Sequence, residues 1–311
     1  MMKETMQNRP ILLVGITGML GSQIANELLD AGAALRATVR SGGYDGEKAK
    51  TVDALREKGL ETFEADFTKP DTLASALDRV DTVVSALQGL GAVIVDAQVR
   101  LLRAAEKAGA RRMVPSDFSV DLFNVPPGEN RNFDLRRTFA ALLDGSKVEG
   151  TSILNGAFTD MLTMGYPVLH ADEGIFDIWG DGQQPMDFTS VADTAKYTAA
   201  AIMDVDTPRI LRFAADTPTL HELHDKCEVW LGKSLEKRNR GSISDLADEV
   251  HRQMAEHPGD PDSDFPVWQG LQYLHNMVSG KAKLEPLDNE RYSQVEAEDV
   301  ASFLSHSDLR N

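Results

Sequence analysis

The chain is poor in cysteine, in aromatic residues and in positive charge, and it has no long apolar run. Each shortage excludes something. Cys227 is the only cysteine, so no intrachain disulfide forms, which fits a reducing compartment. Lys and Arg total 32 against 49 Asp and Glu, a formal net charge of −17. A surface with that balance repels nucleic acid and anionic membranes. No apolar run approaches the ~20 residues that span a bilayer. The opening "MMKETMQNRP" has no apolar core of signal-peptide length. These absences predict a cytoplasmic protein that binds neither nucleic acid nor membrane.

What is there is regular alternation. "ILLVG", "ALRATVR", "LETFEAD", "VDTVVSAL", "RRMVPSDF" and "GTSILNGAF" read as six strands. Between them lie the helical stretches "SQIANELLDAG", "GEKAKTVDALREKG", "KPDTLASALDRV", "VIVDAQVRLLRAAEKAG" and "DLRRTFAALLDG". Strand–helix alternation at this spacing predicts an α/β fold, a parallel sheet wrapped on both faces by helices. The pattern breaks after residue 158. "VADTAKYTAAAIMD" and "TLHELHDKCEVWLGK" are helical, the second with Thr219 as its N-cap. Past residue 240 the chain is helical and polar, interrupted by the Pro/Asp-rich "EHPGDPDSDFP". Residues 1–158, with parts of 180–215 returning, are expected to form a dinucleotide-binding domain. Residues 159–311 are expected to form a smaller, helix-rich substrate lobe.

The first loop carries chemistry. "VGITGMLG" reads G-x-T-G-x-x-G between a strand and a helix. Gly15 turns the chain, Gly18 lets backbone approach a pyrophosphate, and Gly21 lets the helix pack closely. Thr17, Met19 and Leu20 complete the loop, and the helix start offers free N–H groups to an anion. Three glycines alone fit a plain tight turn; the βαβ setting favours a phosphate. The end of the second strand carries Arg40 and Ser41 where a binder of NAD usually places an acid. A guanidinium suits a 2′-phosphate, with Lys48 or Lys50 as a second cation, so the expected cofactor is NADP(H).

Once "AEKAGARRMVPSDFSVD" is reached, the chain resembles, over nearly its whole length, the NmrA-like and isoflavone reductase-like group of atypical short-chain dehydrogenases. The shared features are Gly15 to Gly21, Arg40, "VDTVVSALQG", Gln98 opening a helix, "VPSDFSVD", "GDGQQPMDFTSVADTAKYTAAAI" and "GKAKLEPLDNERY". The resemblance implies a Rossmann-type domain with a small C-terminal substrate lobe. It also implies that Ala86, Leu87 and Gln88 line the cofactor, and that Ser116, Phe118, Asn155, Ala157 and Phe158 lie beside the nicotinamide.

One departure stands out. The reductase branch of that group carries a lysine on the helix after strand five, as general acid or base. Counted back from "NGAF", the position falls at Arg136 or its neighbour Arg137, and no lysine lies between Arg131 and Asp144. Arginine can polarise a carbonyl or hold an anion, but it does not give up a proton near neutral pH. On a bare helix, Arg136 reads equally as part of a solvated face, with Asp134 and Arg137 spaced for a local ion pair. Tyr166, Tyr197 and His170 are other acids, none in a Y-x-x-x-K pattern.

"HELHDKC" sets His221, His224 and Cys227 three residues apart, yet an amphipathic helix explains it better than a metal site. Trp230, Phe265, Trp268 and Tyr273 suit either a substrate pocket or core packing. The sequence thus points to an NADPH-dependent reductase of a small aromatic or unsaturated carbonyl or quinone-like substrate. The alternative is a non-catalytic NADP(H)-binding sensor with a protein partner. An epimerase or dehydratase would want the Tyr–Lys pair that the chain lacks. A homodimer is left open.

Overall fold

Four apolar residues in a row, Ile11–Val14, suit a strand covered on both faces. They form β1 in the computed structural model, which describes residues 9–257, 263 and 266–307. It is joined by β2 (Leu35–Val39), β3 (Glu61–Glu64), β4 (Thr82–Ser85), β5 (Arg112–Val114) and β6 (Glu149–Gly150). The pairing is parallel throughout, in the order β3-β2-β1-β4-β5-β6. The order reverses between β1 and β4, and that is where such sheets open a crevice beyond their C-terminal edge. Leu13 lies level with Ala37 on one side and Val84 on the other.

The connecting helices are α1 (Met19–Asp30), α2 (Gly46–Glu57), α3 (Ala74–Leu77), α4 (Gln98–Ala108) and α5 (Arg131–Asp144). Leu12, Val14, Val83 and Met113 from the strands pack with Leu73, Leu77, Leu101, Phe139 and Leu143. The alternate strand residues Leu13 and Val84 are equally buried, as are Ile24 and Leu28 of α1. Burying each of these side chains contributes roughly 2 kcal/mol. Gly109 ends α4 in the left-handed conformation at φ +77°, as a helix-stopping glycine should.

The chain divides into two compact units. The first comprises Met1–Asp117, Leu135–Ile153 and Thr194–Leu211; the second comprises Phe118–Asp134, Leu154–Asp193 and Arg212–Asn311. Segment 194–211 is grouped with the sheet. Residues 118–134 and 154–158, within the 1–158 expectation, belong to the other one.

Two segments differ from the sequence reading. The helix before β5 begins as a wide π turn over Gly91–Ala97 and becomes α-helical only at Gln98. The expected sixth strand "GTSILNGAF" is three short pieces. Glu149–Gly150 completes the sheet, Ser152–Leu154 pairs with Ile210–Arg212, and Ala157–Phe158 pairs with Phe188–Thr189. An apolar run shows that a strand forms, not which distant strand receives its hydrogen bonds.

A cation sits inside the first unit. Arg112 opens β5 and is 2% exposed. It donates to the carbonyls of Ala201 (3.2 Å) and Asp204 (2.8 Å), and also to the Ile202 carbonyl and the Thr207 hydroxyl. These groups are the C-terminal end of α6 (Val191–Met203) and the turn after it. The guanidinium thereby meets both the orphan carbonyls and the negative end of the helix dipole.

The second unit is helix-rich, with Leu220–Leu231, Ile243–Glu256 and Val267–Val278 as its longest helices. Thr219 caps the first of these. Its hydroxyl accepts from the Glu222 N–H at 3.2 Å, and Glu222 accepts from the Thr219 N–H at 2.8 Å. Trp268 is buried beneath the Arg131 guanidinium, and Tyr273 meets Phe133 edge-on at 4.9 Å. Trp268 packs in the core, whereas Tyr273 is half-buried. Trp230 donates to the Ser307 carbonyl at 3.4 Å. Phe265 and much of the Pro/Asp-rich loop lie outside the described residues.

Candidate functional site

The loop after β1 has no room for side chains at two of its glycines. Gly15 adopts φ +92°, and a Cβ there would lie 2.6 Å from the Ala86 carbonyl oxygen. At Gly21 a Cβ would lie 2.2 Å from the Gly15 oxygen. Gly18 has ordinary φ and a milder approach of 3.3 Å to the same oxygen. The three glycines thus let β1, the loop and α1 nest backbone against backbone. Gly18 is the N-cap of α1 and supplies no side-chain cap, so the first-turn N–H groups keep their positive potential for an anion. Thr17 and Leu20 are half-buried beside it, and Met19 is exposed.

Arg40 follows β2 and is exposed, as is Ser41. Its Nε donates to the Gly43 carbonyl at 2.8 Å, and its guanidinium lies 4.8 Å from the Tyr44 ring centroid. The loop thus holds the cation beyond the end of β2. Lys50 is paired with Glu47 at 2.6 Å. Lys48 is exposed and makes no hydrogen bond or ion pair among the described residues.

The ends of β4 and β5 are tied together. The Ala86 N–H donates to the Val14 carbonyl at 2.8 Å. Ala86 and Leu87 are half-buried and Gln88 is exposed. The Ser116 hydroxyl donates to the Leu87 carbonyl at 2.6 Å, and the Ser116 N–H donates to Gln98 Oε1 at 3.0 Å.

Arg136 is not on a solvated face. It is 9% exposed, and its Nε donates to the Ser116 carbonyl at 3.0 Å. Beside it lies Asp117, fully buried, whose carboxylate accepts from Ser152 Oγ at 2.5 Å. Arg209 donates to that serine oxygen at 2.7 Å and pairs with Asp144 at 2.6 Å. Burial pushes the Asp117 carboxyl above the usual aspartate range. The Ser152 hydrogen bond and the charges of Arg136 and Arg209 pull it back only partly. Sequence reasoning missed this cluster. Asp117 sits in the quoted "PSDF" but carries no spacing that marks it as a partner of Arg136. The carboxylate of Asp134, the other side of the expected local pair, accepts from the Gly128 N–H at 3.1 Å.

Phe118, Asn155, Ala157 and Phe158 belong to the second unit. The N–H groups of Asn155 and Gly156 donate to the Ser119 carbonyl at 2.8 and 3.1 Å. A Cβ on Gly156 would meet the Asp187 oxygen at 2.3 Å, so only glycine fits that turn. Tyr166 is buried with its hydroxyl on Met277 Sδ, and burial raises its pKa. His170 bonds Asp177 at 3.1 Å, and Tyr197 is buried in the first unit.

"HELHDKC" does not converge as its spacing suggests. The His221 ring contacts the Asp181 carbonyl at 3.0 Å. The His224 ring nitrogens contact Asp225 (2.8 Å) and the Leu235 carbonyl (2.9 Å). The groups that do gather within 4.8 Å of one another are His224, Asp225 and Glu228. Cys227 is buried, and burial pushes its thiol up to about 12. At pH 8 the native protein should therefore leave Cys227 unlabelled by 5,5′-dithiobis(2-nitrobenzoate), with labelling only after denaturation. Rapid labelling of folded protein would contradict that burial. Among the described residues no helix is long and apolar enough to cross a membrane.

The chain is similar to known proteins over most of its length. The model of the NmrA-like family matches residues 7–288. The chain is 28% identical over 276 residues to pinoresinol reductase 2 of Arabidopsis thaliana, covering 83% of this chain and 86% of that protein. It is 27% identical to phenylcoumaran benzylic ether reductase PT1 of Pinus taeda, covering 73% and 76%. The structure of the binary complex of leucoanthocyanidin reductase and NADPH from Vitis vinifera superposes with a TM-score of 0.78. It is 21% identical, and the match covers 95% of this chain and 98% of that one.

Proposed function

This chain belongs to the NmrA-like family, and on that premise we propose that it is an NADPH-dependent reductase. Its substrate is a small aromatic or unsaturated carbonyl or quinone-like compound. The single observation that carries the reading is the loop after β1, where two glycines admit no Cβ beside an uncapped helix start. Arg40, beyond the end of the neighbouring β2, supports the choice of a 2′-phosphorylated dinucleotide. The relatives named as reductases of aromatic plant compounds support the reaction class.

In this reading Gly15, Thr17, Gly18, Met19, Leu20 and Gly21 surround the pyrophosphate, and the α1 N–H groups bind its oxygens. Arg40, Ser41 and Lys48 hold the 2′-phosphate. Ala86, Leu87, Gln88 and Ser116 line the other half along the ends of β4 and β5. For Phe118, Asn155, Ala157 and Phe158 the nicotinamide-side role stays an implication of the family resemblance. NADPH, when bound, supplies a hydride. Arg136 does not supply the proton. A guanidinium keeps its protons at every working pH, and its Nε is engaged by the Ser116 carbonyl. Water is then the proton source at the substrate oxygen.

That burial of Arg136 also favours a second reading, a non-catalytic NADP(H) sensor. One set of measurements separates the two. NADPH and NADH are titrated into wild type and Arg40→Ala, then NADPH oxidation is followed with quinones, enones and aromatic ketones. Wild type should prefer NADPH. Arg40→Ala should weaken NADPH by about a hundredfold, as expected for a charge-assisted phosphate contact, and leave NADH unchanged. Turnover on any substrate class supports the reductase. Tight NADPH binding without turnover supports the sensor, and absence of NADPH binding removes both.

A further inference from the structure

Gln98 is fully buried, yet neither end of its amide is wasted. Its Nε2 donates to the Ile94 carbonyl at 2.7 Å, and its Oε1 accepts from the Ser116 N–H at 3.0 Å. Only one orientation of the amide satisfies both contacts, because the swapped one sets N–H against N–H. Gln98 stands where the π turn Gly91–Ala97 becomes α-helix, and its own backbone N–H reaches the Val93 carbonyl five residues back. The side chain therefore meets a carbonyl of the widened turn. Such turns occur mostly as single-turn bulges in α-helices and are frequent at functional sites.

The amide acts on more than its own helix. Ser116 has its N–H on Gln98, its carbonyl on Arg136 Nε, and its hydroxyl on the Leu87 carbonyl. Three elements thus fix one residue at the end of β5. Through that hydroxyl they fix the segment after β4. The Ala86–Leu87 peptide is in turn the one that crowds Gly15, whose Cβ would lie 3.3 Å from the Leu87 nitrogen. At the π turn the N–H groups of Val93 and Ile94 both reach the Leu90 carbonyl, at 2.9 and 2.7 Å, and pin the far end of the same segment.

In a sheet of order β3-β2-β1-β4-β5-β6, a dinucleotide lies across the reversal between β1 and β4. Its adenosine half extends toward β2 and Arg40, and its other half toward β4 and β5. We infer that Gln98 is a positioning residue for the nicotinamide half, acting through Ser116 and the π turn on Leu87–Leu90. The inference rests on the NADP(H) reading above. It assigns Arg136 the same kind of work, holding Ser116 from the opposite side.

The test uses two ligands and the full chain. NADP+ carries both halves, and adenosine 2′,5′-bisphosphate carries only the first. Calorimetry gives the affinity gap between them for wild type, Gln98→Met and Ser116→Ala. Methionine keeps volume and burial while deleting both amide hydrogen bonds. Gln98→Met should shrink the gap by about tenfold and Ser116→Ala by severalfold, in keeping with the loss of one or two buried hydrogen bonds. Adenosine 2′,5′-bisphosphate should bind all three within about twofold, since its contacts lie on the β2 side. A variant that keeps the wild-type gap overturns the inference and leaves the NADP(H) reading intact. Equal weakening of both ligands, or no gap in wild type, also overturns it. Failure of adenosine 2′,5′-bisphosphate to bind wild type removes both readings. If Gln98→Met does not fold, Gln98→Asn, whose shorter amide cannot reach both the Ile94 carbonyl and the Ser116 N–H, decides.

Discussion

A Gly21→Ala variant is expected to bind NADPH about a hundredfold more weakly than wild type and to melt at a lower temperature. The added Cβ would lie 2.2 Å from the Gly15 oxygen, 2.9 Å from the Gly15 carbonyl carbon and 3.3 Å from the Ile16 Cα. All three atoms are backbone, so no rotamer change relieves the contact. Carbon and oxygen pack near ~3.5 Å, so α1 must retreat by roughly an ångström. Overpacking of this kind costs about 1–3 kcal/mol in stability. The larger loss is in aim. The N–H groups at the start of α1 must converge on one anion, and hydrogen bonds weaken steeply as distance and angle depart from ideal. Gly18→Ala is the internal control. Its Cβ meets the same oxygen at 3.3 Å, and its φ of −78° suits any residue. It should keep nearly all the stability. Thermal melts and NADPH fluorescence titrations read both variants. A Gly21→Ala protein that binds NADPH like wild type would remove the loop as the cofactor's seat.

The second large effect is expected at Arg136. Arg136→Met removes a cation from beside a carboxylate that is itself wholly buried. The two make no direct ion pair, since Asp117 Oδ1 accepts no hydrogen bond and Oδ2 accepts from Ser152, so losing the nearby cation costs less than breaking a pair, about 1–3 kcal/mol. Ser152 and Arg209 remain near Asp117, which places the expected loss at the low end. The pH dependence carries the signature. Burial already holds the Asp117 carboxyl above the ordinary 3.8, and losing Arg136 raises it further. Between the unfolded and folded values the folded chain binds more protons, so stability falls as pH rises through that window. The deficit of Arg136→Met should therefore be largest at neutral and alkaline pH. It should narrow as pH drops toward the unfolded aspartate value. Urea denaturation at a series of pH values measures it, and Asp117→Asn/Arg136→Met should recover part of the loss. A deficit that does not change with pH would mean that Arg136 stabilises by packing alone.

The parts of this fold that the sequence displays are those whose causes are local. Gly18 and Gly21 against Gly15, Arg40 at a strand end, Gly109 stopping α4 and Thr219 with Glu222 are each fixed within a few residues of themselves. The parts it hides depend on partners far away. Arg136 reads as solvated because it is charged and stands between Asp134 and Arg137, which are spaced for a local ion pair, yet Ser116 receives it from 20 residues upstream. The π turn escapes notice because Val93, Ile94 and Ala97 satisfy an ordinary helical stripe. At the widened turn the Gln98 side chain meets the Ile94 carbonyl, a contact that periodicity does not encode. "GTSILNGAF" shows a strand but not its division among three ladders, since residues 188–189 and 210–212 lie dozens of positions downstream. Phe118 and Asn155 follow from resemblance rather than from spacing, and the second unit is where they fall.

Arg112 has a consequence for how the chain is made. Its buried guanidinium finds its acceptors at residues 201–207, about ninety positions later. While the ribosome has delivered only the six strands of the sheet, that cation has no carbonyls to meet, and β5 cannot bury it without a heavy desolvation cost. The last helix to join the sheet's unit therefore acts as its completion signal. The glycine loop after β1 is among the first segments synthesised, but β5 settles in the sheet only after two-thirds of the chain has emerged.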